Sequence, residues 1–220
     1  MILFSAVGVE SEFEAYKWHT AFADHDKSVY PRTDAEFNSF VLAGMAWSAT
    51  DDQGDYQGLA YASYSPQQWE LGGLAVMVEA REKGVGLVLA QLALGHLLFE
   101  EDPLDDDPPR PIRIIVHVLE ANKLPLPILE RLRFRLTGPV TIHGSQLPGL
   151  PTEADGYVHG KEYEVAVPDT LMVLREWATS WDGRLRNGEP ALIVLREGIS
   201  IEMWAEAFGQ MAERKGAGAN

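Results

Sequence analysis

The sequence predicts an α/β fold, and three observations point to it. A strand-like run, two helical stretches and a hairpin succeed one another before residue 65. A strand from Trp69 to Val78 then leads through a glycine-containing turn, Lys83-Gly84-Val85-Gly86, into a helix that runs to Phe99. A β-branched run, Arg113 to Leu119, follows as the next strand. The helix between them is apolar on most of its circumference, the pattern of a helix packed on both sides.

Taken in order, Ile2 to Val7 reads as the first strand, because Met1 to Val7 has neither the basic leading segment nor the long apolar core of a signal peptide. Phe13, Tyr16, Ala21 and Phe22, with Lys17 and Asp24 among them, suggest a half-buried helix. Asp34 is the N-cap candidate for a second helix, Ala35 to Leu42. Met45 to Ala49 and Tyr56 to Tyr64 are short strands joined by Asp51-Asp52-Gln53-Gly54-Asp55, which is hairpin-loop chemistry. Glu100 to Pro111 holds six acidic residues and four prolines and is expected to be an exposed loop. A short helix over Ile128 to Leu132 begins after Pro125 and Pro127. Val140 to Gly160 is rich in glycine, proline and polar residues, so it is expected to be irregular with one or two short strands, before a final sheet strand at Glu162 to Val167. Beyond it come a helix from Asp169 to Trp181, a turn at Asn187-Gly188, a strand at Ala191 to Leu195 and an amphipathic helix from Ser200 to Arg214. The rings of Trp177, Trp181, Trp204 and Phe208 must be buried against the chain's own sheet, in a homodimer interface or in the wall of an acceptor site.

Composition narrows the chemistry. The 33 acidic and 18 basic side chains give a formal net charge of −15. That charge repels nucleic-acid phosphates and anionic membrane surfaces, so neither is an expected partner, and it favours a cationic partner or serves solubility alone. Without cysteine there is no thiol nucleophile, disulfide framework or cysteine-based metal site. The six histidines show neither His-x-His nor His-Glu-x-x-His spacing, so no metal is expected. The longest apolar stretch, Leu87 to Phe99, is interrupted by Gln91, Gly95 and His96 and falls short of the roughly 20 residues of a spanning helix. A soluble, cytoplasmic protein is the expectation.

The strongest local signal is Trp69-Glu70-Leu71-Gly72-Gly73-Leu74-Ala75-Val76, followed by Arg81-Glu82-Lys83-Gly84-Val85-Gly86 and a helix. Gly84 and Gly86 permit a tight turn whose N–H groups converge at a helix N-terminus, where unpaired donors and the helix dipole favour a pyrophosphate. Arg81 and Lys83 add positive charge. A close-packing turn without a ligand is the other reading of a Gly-x-Gly. The segment lacks the Gly-Lys-Ser/Thr ending of a Walker loop and the third glycine of a dinucleotide fingerprint.

The combination of this strand, Arg81-x-x-Gly84-x-Gly86 and an apolar helix resembles the acetyl-CoA motif of the GNAT family of N-acetyltransferases. A second segment, Ile114 to Val118 followed by Asn122 and Phe134, is similar to that family's next strand, asparagine and short helix. Arg133 stands where a glycine usually precedes Phe134, and Val78 where a proline is often found. The resemblance implies a mixed, mainly antiparallel central sheet flanked by helices, with an acyl-CoA-binding domain over 1–167 and a C-terminal α/β extension over 168–220. It also implies transfer of an acetyl group from acetyl-CoA to a small-molecule or peptide amine, with a catalytically silent CoA-sensing or protein-binding scaffold as the alternative. The cofactor-binding residues it implies are Leu74, Ala75 and Val76 for the pantetheine arm, Arg81, Glu82, Lys83, Gly84, Val85 and Gly86 for the pyrophosphate, and Asn122.

Transfer to an amine needs a base, because the ammonium form has no lone pair. Glu70 lies eleven residues before Arg81, the offset at which several members of the family hold their general-base glutamate, although a solvated strand end would explain it equally. His117 on the neighbouring strand is a second base or proton-relay candidate; a lone histidine in an apolar strand is also an ordinary structural residue. An N–H in the Leu74 to Val76 stretch is the candidate donor to the oxyanion. The family's usual acid tyrosine is replaced by Leu129, which leaves Tyr61, Tyr64, Tyr157 or water for that step.

Overall fold

Eight strands form one sheet in the computed structural model, which describes residues 1–64, 68–101, 112–147 and 149–217. In chain order they are β1 (Ile2–Ala6), β2 (Ala46–Thr50), β3 (Tyr56–Tyr64), β4 (Gln68–Val76), β5 (Arg113–Leu119), β6 (Arg135–His143), β7 (Tyr157–Val165) and β8 (Ala191–Val194). Across the sheet the order is β6-β7-β5-β4-β3-β2-β1-β8. Only the β4–β5 and β1–β8 pairings are parallel, so the sheet is mixed and mainly antiparallel. The helices are α1 (Glu12–His25), α2 (Asp34–Leu42), α3 (Val85–Glu101), α4 (Leu126–Arg131), α5 (Val167–Ser180) and α6 (Ile201–Ala217). None among the described residues is long and apolar enough to cross a membrane.

The unusual apolarity of α3 has a direct cause. The helix touches β2, β3 and β4 on one side and α5 and α6 on the other. Twelve of its residues are buried, Gln91 among them. Gly95 admits Trp204, since a Cβ there would lie 2.6 Å from the indole. Trp204 and Phe208 are therefore buried against the chain's own core, with Trp47 of β2 meeting Trp204 edge-on. Trp177 and Trp181 pack on the same core from its margin. β8 continues the sheet beside β1, so the C-terminal strand is part of one continuous layer. On the opposite face, α1 and α2 cover a second cluster that includes Phe37, Leu59 and Tyr61.

Several boundaries differ from the sequence reading. Thr33, rather than Asp34, caps α2: its side chain accepts from the Glu36 N–H while Glu36 reaches back to the Thr33 N–H, a reciprocal capping box. Val140 to Gly160 holds the last four residues of β6 and the first four of β7, but both strands run beyond it, from Arg135 and to Val165, as nine-residue strands paired along their length. β6 is an edge strand, where Gly138 and Pro139 are tolerated because one side of the strand needs no ladder partner. The segment after β4 is a 3-10 turn, Val78–Lys83, before α3 begins. Of the acidic, proline-rich stretch, residues 102–111 lie outside the described residues, and residues 100–101 complete α3.

What positions a site is the splitting of the sheet between β4 and β5. These strands pair only at Gln68–Arg113, Trp69–Ile114 and Glu70–Ile115. Past Glu70, β4 stays with β3 but carries one extra residue: Leu59 pairs with Ala75 and Tyr61 with Gly72, so Gly73 and Leu74 oppose Ala60 alone. This is a β-bulge, which bends the strand that carries it. Gly73 sits at a φ of 57° against the ring of Tyr61, and a Cβ at that position would fall 1.9 Å from a ring carbon. Only glycine fits both constraints.

Candidate functional site

A continuous groove begins in that split. Its inner cavity, about 330 Å³, is bounded by Glu70, the bulge from Leu71 to Leu74, His117 to Leu119 of β5, and the loop residues Ser28 to Tyr30. It shares Leu74, Asn122 and Pro125 with a narrower channel of about 100 Å³, which also touches Val76, Arg81 and Gly86. That channel shares Arg81, Leu124 and Ile128 with an outer cavity of about 600 Å³, beside Glu82, Gly84, Arg131, Arg186 and Asn187. Beyond Glu70, the edge of β4 that faces β5 offers N–H and C=O groups with no β5 partner.

The turn leading into α3 has the conformation that the glycines implied. Gly84 takes φ 99°, and its carbonyl accepts from the N–H groups of Leu87 and Val88. Of the two earlier N–H groups of α3, which have no preceding carbonyl in the helix ladder, that of Gly86 belongs to a residue lining the channel. Gly86 is closely packed, with Ile128 and Val76 within 3.0 and 3.2 Å of where a Cβ would stand. Val85 and Ala75 are fully buried and act as packing, not lining.

The cations are distributed differently from the sequence reading. Arg81 lines the groove, but its Nε donates to the Val76 carbonyl at 3.0 Å and its guanidinium meets Asp26 at 3.0 Å. Burial pushes the Asp26 carboxyl upward; hydrogen bonds from Ser28 and the charge of Arg81 outweigh that and hold it below the usual range. Lys83 pairs with Glu189 at 3.3 Å. Arg131 and Arg186 line the outer cavity with no ion-pair partner among the described residues. Arg186 comes from the loop between α5 and β8, and its Cβ lies 3.3 Å from the position a Gly84 Cβ would occupy. Nothing in its local sequence marks it, because only the pairing of β8 with β1 brings that loop to the turn.

At the inner end, the register Glu70–Ile115 places His117 one pleat further along the same face as Glu70. Its Nδ1 lies 2.9 Å from Glu70 and its Nε2 3.3 Å from Glu162 of β7. Both ring nitrogens face carboxylates, an arrangement satisfied only when both carry protons. The hydrogen bond to Glu70 raises the imidazole pKa above its usual 6.5; partial burial opposes this, and the Glu70 and Glu162 charges reinforce it. Glu162 is itself fixed by Arg113 at 2.8 Å and Thr137 at 3.0 Å. Burial pushes the Glu162 carboxyl up, and these bonds hold it below the usual range.

With the folded pKa raised, this charge interaction stabilises the fold fully below about pH 6.5 and is lost as pH rises through the raised value. An NMR titration of the His117 ring should give an apparent pKa above 6.5, and Glu162→Gln should lower it. An unchanged titration in that variant would show that Glu162 exerts no field on the ring.

Asn122 lines both inner cavities, and its side-chain oxygen accepts from the Leu124 N–H at 3.0 Å, leaving the amide donors free of that turn. Leu129 is buried and supplies no proton. Of the tyrosines singled out, Tyr61 lines the inner cavity and Tyr64 and Tyr157 do not. Burial raises the Tyr61 pKa, which keeps the phenol protonated. No group of three or more metal-ligating side chains occurs among the described residues.

No protein-family model and no curated protein matches the chain. Solved structures do match. A protein from Acinetobacter baylyi assigned to the acetyltransferases aligns over 76% of this chain and 92% of its own, with 12% identity and a TM-score of 0.56. The ribosomal-protein-S18-alanine N-acetyltransferase from Escherichia coli aligns over 75% and 93%, with 17% identity and a TM-score of 0.51. A GNAT superfamily phosphinothricin acetyltransferase from Sinorhizobium meliloti, solved with acetyl-CoA, aligns over 69% and 83%, with 17% identity and a TM-score of 0.51. At these identities the likeness is one of fold, and the chain has the GNAT fold.

Proposed function

We propose that this protein is an N-acetyltransferase that moves the acetyl group of acetyl-CoA to a primary amine. The observation that carries this reading is the single groove that starts at the Gly84 turn and the N-terminus of α3, passes the bulged edge of β4 and ends at Glu70 and His117. Its parts fit the parts of the substrate: cations and helix N–H groups for the phosphates, a narrow channel for the pantetheine arm, and a proton acceptor where the thioester would end. That one of the matched structures was solved with acetyl-CoA supports acetyl-CoA as the donor.

Glu70 and His117 act as one proton-accepting pair. Once the pair has lost the proton that the raised imidazole pKa retains, it takes a proton from the acceptor ammonium, through water or directly. The freed amine nitrogen bonds to the thioester carbon, the carbon–sulfur bond breaks, and the thiolate takes up a proton to leave as CoA thiol. Unpaired N–H groups in the stretch from Leu71 to Val76 are the donors to the carbonyl oxygen while it bears charge. Arg186 and Arg131 hold the phosphates, while Arg81 fixes the turn to the loop at Asp26.

Calorimetric titration with acetyl-CoA tests this reading, and no heat of binding at millimolar ligand would end it. Arg186→Ala should weaken acetyl-CoA binding about tenfold, the loss expected for one charge-assisted contact. An unchanged affinity would remove Arg186 from the phosphate site. Binding without thiol release across an amine panel would instead identify a silent scaffold.

A further inference from the structure

Beyond the base pair, the inner cavity continues to a cation. Arg32, in the connection between α1 and α2, lines the same cavity as Glu70 and His117. Its side chain is 19% exposed. Its Nε donates to the Tyr61 hydroxyl at 2.7 Å. The rings of Tyr30, Tyr61 and Phe40 surround the guanidinium, with centroids 4.8, 5.4 and 5.7 Å from its central carbon. Such a guanidinium is held in one orientation before any ligand arrives.

Its charge is only partly met. The nearby carboxylate, Glu36, is 42% exposed and stands 3.6 Å away, too far for a good hydrogen bond. The other oxygen of Glu36 is taken by the Thr33 hydroxyl and N–H, each at 2.9 Å. Nη1 of Arg32 is engaged only by that long ion pair and Nη2 makes no hydrogen bond among the described residues, so the terminal edge of the guanidinium can still receive a ligand carboxylate. Burial lowers the affinity of Arg32 for its proton, but Tyr61, Glu70 and Glu36 together more than restore it.

Most of the rest of the lining is apolar. Val140 and Ile142 of β6, Val158 of β7, and Leu147 and Leu150 of the connection between them form its wall. The volume, about 330 Å³, is at the small end for ligand sites and must also hold the acyl end of the donor. A small acceptor fits and a folded protein surface does not. The net charge of −15 argues for cationic acceptors at the outer surface. Within the cavity, however, the described charged lining is one guanidinium, one carboxylate and His117, which complements a zwitterion.

We infer that the acceptor is a free amino acid with an apolar side chain, its carboxylate on Arg32, its amine at Glu70 and His117, and its side chain against the β6–β7 wall. This rests on the acetyl-CoA reading above, and deepens it. The test compares an amino acid with the amine that lacks its carboxylate, such as leucine with isopentylamine, across a small panel of apolar pairs.

In the native protein, kcat/KM should favour the amino acid by about 30–100-fold, and Arg32→Gln should bring that ratio near one, mainly through KM. Arg32→Lys, which keeps the charge without the planar fork, should retain an intermediate preference. Acetyl-CoA titration of each variant reports whether its fold is kept. A merely structural Arg32 would lower both activities together and leave the ratio alone. That result, a native preference for the decarboxylated amine, or acetyl-CoA binding with no apolar amino acid acetylated, each overturns the inference while leaving the acetyl-CoA reading intact. Failure of acetyl-CoA to bind at all removes the reading beneath it.

Discussion

Replacing Glu70 with glutamine is expected to lower kcat by about 10²–10⁴-fold, the range in which a positioned proton acceptor contributes, while acetyl-CoA affinity stays within about twofold. Glutamine keeps the shape of the side chain and an oxygen facing His117, so the change removes charge and basicity rather than packing. The largest influence raising the His117 pKa is the hydrogen bond its Nδ1–H donates to Glu70. Its loss should lower that pKa, because a neutral amide no longer favours the imidazolium. Any residual activity should therefore show its acid limb at lower pH than the native protein. Steady-state turnover with thiol detection, followed over pH, checks both parts. Unchanged kcat would remove Glu70 from the chemistry. A lower kcat with an unmoved acid limb would separate Glu70 from His117 and end the description of them as a pair.

Replacing Gly73 with alanine is expected to cause the largest loss of stability of any single-methyl change in the groove. The new Cβ would lie 1.9 Å from a carbon of the Tyr61 ring, and the residue would remain at φ 57°. Tyr61 cannot retreat freely: it is 1% exposed and stacked on Phe40 with ring centroids 4.4 Å apart. Backbone strain and overpacking together should cost about 2–4 kcal/mol, or about 5–15 °C in Tm for a chain of this length. Gly138→Ala is the matched control, since a Cβ there meets nothing within 4 Å. Thermal unfolding of the two variants side by side decides the matter. Equal midpoints would mean that the bulge is not constrained by Tyr61. Because Tyr61 also holds Arg32, surviving Gly73→Ala protein should bind an amino-acid acceptor poorly even where it still binds acetyl-CoA.

Much of the fold was readable from period and punctuation. β3, β5 and α3 are strongly patterned, and their glycine and proline boundaries are local. β6 was not readable, because Gly138 and Pro139 argue against a strand unless it lies at an edge, and edge position belongs to the whole sheet. Glu70 and His117 were legible separately as candidates, and their contact follows from the β4–β5 register, which no local signal carries. Arg186 and Arg32 went unnoticed for the same reason: one reaches the groove through the β1–β8 pairing, the other through a hydrogen bond to a tyrosine 29 residues away. Arg81 lines the groove, and its pairing with Asp26, 55 residues earlier, is a contact that no local spacing carries. Arg133 sharpens one departure from the family pattern. It adopts φ 63°, the only positive φ outside glycine among the described residues, so the backbone there keeps the conformation that a glycine would favour.

The parallel pairing of β8 with β1 also bears on how the chain reaches its native state. The two strands are joined by almost the whole polypeptide, a contact of very high sequence separation that forms slowly and loses much chain entropy on closure. The Lys83–Glu189 pair and the approach of Arg186 to Gly84 belong to that same closure. A nucleotide anion seated between the α3 turn and Arg186 would therefore favour the closed chain over any species with β8 undocked, and acetyl-CoA would act on maturation as well as on turnover.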